Sequence, residues 1–272
     1  MIIDSHTHIG HILYPVGKNR VSNLPAEQLI EAMDKYSINQ ALVSSIEGAE
    51  FDSEKNPAPP GKQIPQLQSF KNLVKIIRQH DGTLPGSPGL KALLWIKPHT
   101  EDVTPALVQF IEENRDCIAG FKMHPALSNM SFRDERFLPY LKLADNLSMP
   151  VQVHTENDGR SDPAFVEQVA ADFPGLDFVM VHMGLNTDNT EAIRIIRDNA
   201  NIYGDTCEVE IDNVFKAMEV CGSEKILFGT DAIVHGTDTY KGYLPLIHEL
   251  RSRPDKNDAD NILYENCLRL FG

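Results

Sequence analysis

The sequence predicts an α/β fold, a single (β/α)8 TIM barrel spanning residues 1–272. Short apolar runs alternate with amphipathic stretches from one end of the chain to the other. Eight such strand-helix pairs fit in the 272 residues, which is the size of a barrel of this kind. The competing arrangement is an open doubly wound sheet, whose nucleotide-binding forms carry a glycine-rich first turn. "HTHIGHILYPVG" has no GxGxxG, so the barrel is favoured.

The strands read in order as "MIID", "ALVSSI", "KALLWIK", "IAGFKMH", "PVQVHT", "LDFVMVH", "NIYGDT" and "KILFGTD". "PAEQLIEAMDKY" follows the first strand with a proline at its start and apolar residues at helical spacing. "QLQSFKNLVKIIRQH", "PALVQFIEENRD", "RDERFLPYLKLADNL", "PAFVEQVAADF", "TEAIRIIRDNA" and "IDNVFKAMEVC" repeat that pattern between the later strands. "YLPLIHELRS" and "ADNILYENCLRLF" close the chain, the last helix starting at Asp258 or Asp260. Two stretches break the rhythm. Residues 47–66, rich in proline, glycine and charge, follow the second strand, which puts them on the face where barrel sites form. They are expected to act as a lid or pocket wall. "HDGTLPGSPG" precedes a strand and belongs to the opposite face, with a structural role.

With 42% hydrophobic and 24% charged residues, the composition is that of a globular protein. A formal charge of −14 disfavours nucleic acid and anionic membrane as partners and favours small molecules. No apolar run approaches the length of a membrane span, and no signal peptide is visible, so a cytoplasmic location is expected. Cys117, Cys207, Cys221 and Cys267 are scattered and form no CxxC pair, so they read as reduced thiols.

Chemistry gathers at the strand ends. In "DSHTH", Asp4, His6 and His8 occupy every second position, and alternation along a strand puts them on one side. Lys122 and His124 end the fourth strand, His154 the fifth, His182 the sixth and Asp231 the eighth. Taken singly, each has an ordinary reading, such as a rim histidine or the aspartate that caps the next helix. In a barrel, however, the carboxyl ends of all the strands surround one mouth, and these residues meet there. Imidazole nitrogen and carboxylate oxygen suit Zn, with Mn and Fe as further options, and a catalytic site keeps a position open for water. Asp231 is placed both to touch the metal and to take the proton of that water, returning it to the leaving group.

These motifs, "DSHTH", "VHTE", "VHMG" and "GTD", resemble those of the amidohydrolase superfamily along essentially the whole chain. "GFKMHP" and the series "VQVHT…VMVHMG…LFGTDA" look most like its amidohydrolase-2 branch. That branch includes 2-amino-3-carboxymuconate-6-semialdehyde decarboxylase and γ-resorcylate decarboxylase. The resemblance implies one metal held by His6, His8, His154 and Asp231, with His182 acting on water or substrate. Other branches use a carboxylated strand-four lysine to bridge two metals, so Lys122 with His154 and His182 would serve a second ion. As a plain ammonium, Lys122 would instead bind a substrate carboxylate beside His124. The TatD-type DNases also open with HxH but expect a strand-four glutamate, and this strand reads "AGFKMHP".

The expected activity is metal-dependent hydrolysis of a small ester, lactone or amide. The alternatives are non-oxidative decarboxylation of a small carboxylic acid and a non-catalytic metal-binding sensor barrel. The substrate is expected to be anionic, and the decarboxylase branch suggests a homodimer. Arg160 is a candidate carboxylate clamp and Trp95 a candidate pocket wall, with Lys97 on the same side of its strand. His99 and His235 lie just past strands, Glu156 and Asp158 have no defined role, and His11 sits in the first loop. His80 and His248 belong to helices.

Overall fold

In the computed structural model the described residues are 1–16, 21–52, 54–59, 63–80 and 88–272. Most of "HDGTLPGSPG" lies outside them, as do residues 53 and 60–62 of the 47–66 segment. The first half runs β1 (Ile3–Val16), β2 (Val21–Leu24), α1 (Ala26–Tyr36), β3 (Gln40–Ser45), α2 (Gln66–Ile77), β4 (Gly89–Trp95), α3 (Pro105–Glu113) and β5 (Ile118–Met123). The second half runs α4 (Leu138–Asn146), β6 (Val151–Glu156), α5 (Pro163–Asp172), β7 (Phe178–Leu185), α6 (Thr190–Asp198), β8 (Ile202–Asp205), α7 (Ile211–Cys221) and β9 (Ile226–Leu227). The chain closes with α8 (Thr239–Ser252), α9 (Lys256–Asp260), a π-helical turn at Asn261–Glu265 and α10 (Asn266–Phe271).

All strand pairs from β1 through β3 to β9 are parallel. The last strand then returns to the first. Ser5 N–H donates to Phe228 O at 2.8 Å, Asp231 N–H to His6 O at 2.9 Å and His8 N–H to Ala232 O at 2.7 Å. These bonds close the ring and leave no parallel edge unpaired, completing the TIM barrel expected from the sequence. The helices cover it through apolar stripes. In α6, Ala192, Ile193, Ile195 and Ile196 are buried, while Arg194 and Arg197 face out to Glu167 and Asp198. Each buried isoleucine contributes about 1.5–3 kcal/mol. Thr104 caps α3 by accepting from Leu107 N at 3.2 Å, and proline starts α3, α4 and α5, where its missing N–H costs nothing.

The structure corrects three expectations. "MIID" is only the start of β1, whose outer half pairs antiparallel with β2 in a hairpin the sequence did not announce. The closing helical segment begins earlier than Asp258 or Asp260: Asp255 caps it, its side chain accepting from Asn257 N at 2.9 Å. Asp4 does not join His6 and His8. The β1–β3 register shifts between Asp4 and Thr7, which breaks strict alternation, and Asp4 accepts from Thr230 Oγ1 at 2.6 Å. Burial lifts its carboxyl to about 7, against the hydrogen bonds from Thr230 and the His6 amide.

The described part of the 47–66 segment is fastened down. The amides of Glu50 and Phe51 donate to Leu127 O, and Lys55 Nζ donates to Ala126 O at 2.9 Å. The buried Glu50 carboxylate accepts from the amides of His99 and Thr100 and from Thr100 Oγ1.

Candidate metal centre at the carboxyl end of the barrel

The strand ends enclose a cavity of about 180 Å³. His6, His8, Lys122, His124, His154, His182 and Asp231 line it on the polar side, joined at the rim by Glu208 and His235. Ile46, Trp95, Leu127, Leu185 and Val234 form the apolar wall.

Three donor atoms converge inside. His6 Nε2 lies 3.0 Å from His8 Nε2 and 3.6 Å from Asp231 Oδ1, and His8 Nε2 lies 2.9 Å from Asp231 Oδ1. Ligands bound at about 2.0–2.2 Å stand roughly 2.8–3.6 Å apart for angles between about 90° and the tetrahedral value, and all three separations fall in that range, so this donor set can hold one divalent ion. Outer partners orient the rings. His8 Nδ1 is 2.9 Å from Ser44 Oγ, and His182 Nδ1–H donates to Cys207 O at 3.2 Å. A ring held through Nδ1 turns Nε2 to the site.

Electrostatics favour the ligating forms. Burial holds His6 and His182 well below the ordinary imidazole range, and it does the same for His124; His154 is lowered in the same direction. Asp231 is opposed by burial, yet the hydrogen bond with His8 and the neighbouring imidazoles keep it well below the usual carboxylate range. Lys122 is 1% exposed, with Nζ 3.0 Å from His6 Nε2. Burial pushes its amine down to about 8, against the pull of Asp231 and Asp205.

The backbone is strained here. His182, Met183, Glu208 and Asp231 all have positive φ, between 47° and 69°, a region non-glycine residues rarely occupy. Asn189 Nδ2 supports two of them by donating to the carbonyls of His182 and Met183.

Residues 89–272 match the family model described as Amidohydrolase, more than half of the chain. The chain belongs to the amidohydrolase family. The matching model is that of the amidohydrolase-2 branch to which the motifs pointed. Among curated proteins, none matches this amidohydrolase. Several solved structures share its fold. An amidohydrolase from Burkholderia multivorans with bound zinc is 13% identical at a TM-score of 0.71, over 100% of this chain and 99% of that one. The 5-carboxyvanillate decarboxylase of Sphingomonas paucimobilis is 13% identical at 0.62, over 99% and 98%. A protein described as "probable 2-pyrone-4,6-dicarboxylic acid hydrolase" from Acinetobacter baumannii, with citric acid bound, is 14% identical at 0.63, over 100% and 99%. At these identities the likeness is one of fold.

In this amidohydrolase some expected residues stand apart from the three-atom cluster. His154 lines the cavity, but its Nε2 is 3.3 Å from Glu156 Oε2. Its ring stacks on His124 at 3.8 Å, and His124 stacks on Trp95 at 5.2 Å. Arg160 is half-buried in the loop after β6 and is not among the cavity residues; its amide donates to Asp158 Oδ1. Lys97 points away, donating to Ile64 O, and His99 packs on Phe51. His235 reaches the rim, its Nε2 3.1 Å from Glu208 Oε1 and 3.8 Å from Asp231 Oδ2.

Asp205, Cys207 and Glu208 were not expected at the site. His6, His182 and Cys207 bring ligand atoms within 4.8 Å of one another, as do Glu208, Asp231 and His235. The signal was available: "NIYGDT" carries an acid, Asp205, at a strand's carboxyl end, the same criterion that selected Asp231. Among the described residues no helix is long and apolar enough to cross a membrane.

Proposed function

We propose that this enzyme is a metal-dependent hydrolase of a small ester, lactone or amide, and that zinc is its metal. The observation that carries the reading is the convergence of His6 Nε2, His8 Nε2 and Asp231 Oδ1 within 2.9–3.6 Å beside a cavity. His6, His8 and Asp231 would hold the ion, with His154 as a fourth ligand from the same cavity wall. A bound divalent ion supplies Lewis acidity and lowers the pKa of a water ligand toward about 7. Asp231, kept in its charged form, accepts the proton of the attacking water and returns it to the leaving oxygen or nitrogen. His182, whose Nδ1–H is committed to Cys207 O, presents the lone pair of its other ring nitrogen, which accepts a hydrogen bond from the attacking water and so orients it. The Lys122 ammonium, sealed from bulk water, selects a substrate that carries a carboxylate.

That same buried cation supports a second reading, decarboxylation. The carboxylate would leave as CO2, and Asp231 or His182, having taken up a proton from water, would deliver it to the carbon that keeps the electron pair. The fold neighbour from S. paucimobilis is a decarboxylase, while the A. baumannii one is described as a hydrolase. Arg160, lying beyond the described cavity wall, would reach a substrate only where it extends past the rim.

Metal analysis of protein purified without chelator, beside a His6→Ala/His8→Ala variant, tests the reading together with a panel of esters, lactones, amides and carboxylates. About one equivalent, lost in the variant, with acid release from the panel, is the expected result. CO2 release without hydrolysis selects decarboxylation. About two equivalents would make Lys122 a carboxylated bridge. Metal without turnover would leave a sensor barrel, and no metal after reconstitution overturns the proposal.

A further inference from the structure

Asp205 ends β8, is fully buried and does not line the cavity, so neither proposed reaction touches it. Its two oxygens are used differently. Oδ1 accepts from the amides of His182 at 2.8 Å and Cys207 at 3.1 Å, bracing the strained residue that carries one site imidazole. Oδ2 has no hydrogen-bond partner, and its polar neighbour is His6 Nδ1 at 3.3 Å. His6 Nδ1 is equally sealed and equally without a hydrogen bond. With Asp205 ionised, a buried acceptor and a buried ring nitrogen facing each other avoid a desolvation cost of about 1–3 kcal/mol only if the imidazole carries the proton between them.

The neighbouring residue is shaped for this approach. A side chain at Gly229 would place its Cβ 2.8 Å from Asp205 Oδ2 and 3.1 Å from His6 Cβ. Only glycine lets the β9 strand end pass so close to both groups.

A neutral imidazole carries one proton, on Nδ1 or on Nε2. With that proton on Nε2, the Nδ1 lone pair would face the Asp205 lone pairs across 3.3 Å. With it on Nδ1, the contact is attractive, and the Nε2 lone pair turns toward His8, Asp231 and the Lys122 amine. We propose that Asp205 is the positioning residue of this site: it fixes the Nδ1–H tautomer of His6 through one oxygen and the backbone of His182 through the other.

Asp205→Asn keeps the size of the side chain and inverts its effect. Its carbonyl oxygen stays with the two amides, so the NH2 group faces His6 Nδ1 and donates to it, driving the ring proton to Nε2. The first readout is the 15N spectrum of histidine-labelled, metal-free protein, with the His6 signal assigned by its loss in His6→Ala. Wild type is expected with the proton on Nδ1 and Asp205→Asn with it on Nε2. The second is metal affinity by chelator competition, expected to fall about 10–100-fold in Asp205→Asn. That part rests on the proposed metal site, whereas the tautomer does not. A wild-type protein that binds no metal would fail the proposed function and leave the tautomer result standing. A wild-type His6 protonated on Nε2 overturns the inference without any variant, even if Asp205→Asn does not fold. So does an Asp205→Asn protein with unchanged tautomer and metal affinity.

Discussion

The same eight strands finish in opposite ways at the two ends of the barrel. At the amino end Ile3, Leu42, Leu93, Val179 and Leu227 point inward and pack beneath Cys267 and Phe271 of α10. At the carboxyl end the strands finish on His6, His8, Lys122, His154, His182 and Asp231, equally buried but polar. The floor gains stability by removing apolar surface from water. The mouth gathers groups whose burial is costly unless something else satisfies them. Stability and chemistry are therefore separable along a single strand, a few residues apart.

Substitutions can break that separation or sharpen it. The largest effect is expected at the mouth: His6→Ala/His8→Ala reduces turnover by more than the roughly 10–100-fold typical of losing a ligand's outer partner. The variant should unfold in urea at or above the midpoint of wild type stripped of metal, since buried polar atoms have been removed. A lower midpoint would show that the mouth also holds the barrel together. Phe271→Ala, at the floor, is expected to cost about 3–5 kcal/mol by denaturant unfolding while kcat per folded molecule stays unchanged.

One matched pair tests the contrast with a single chemical change. Gly120→Ala puts a methyl 2.5 Å from Pro150 O and 3.1 Å from the Phe271 ring, for about 1–3 kcal/mol of destabilisation and unaltered kinetics. Gly48→Ala drives a methyl into the Trp95 indole, which lines the cavity, and should change kcat/KM as well as stability. Equal kinetic effects from both would refute the division.

The smallest effect concerns Glu50, whose burial raises its carboxyl above the ordinary 4.5 despite hydrogen bonds from Thr100 and the His99 amide. In the folded state it takes up a proton before the unfolded chain does. The cost of its buried charge is therefore present at neutral pH, fades as pH falls through the raised value and is gone below 4.5. Glu50→Gln should thus gain on wild type in melting temperature at pH 7 and lose that advantage toward pH 4.5. A difference independent of pH would rule this out.

Much of this was legible in the sequence because periodicity reports on burial. The barrel strands and the helices between them fall where apolar spacing put them, apart from β1, which runs well past "MIID", and the closing helical segment, which starts earlier. The site histidines were legible because each follows an apolar run, and barrel topology brings those ends together. Asp4 was misplaced since a register shift leaves no mark in composition. β2 was missed because "VSNL" is too short to show alternation. Asp205 was passed over because a strand-end acid looks the same whether it caps a helix or braces a histidine. Arg160 follows a histidine strand closely, yet loop residues take their direction from turns that spacing does not encode.

The seam of the barrel has a consequence of its own. His8 and Asp231 belong to the first and last strands, joined by the bonds from Ser5 to Phe228 and from His8 to Ala232. Closing that join confines nearly the entire chain as one loop, the most demanding closure in the molecule. A ligand gripping both residues acts as a clasp across it, and its binding energy adds to completion of the ring. Chain segments bearing only one side of the seam would contain intact helices and strands yet have no grip on such a ligand until the two sides met.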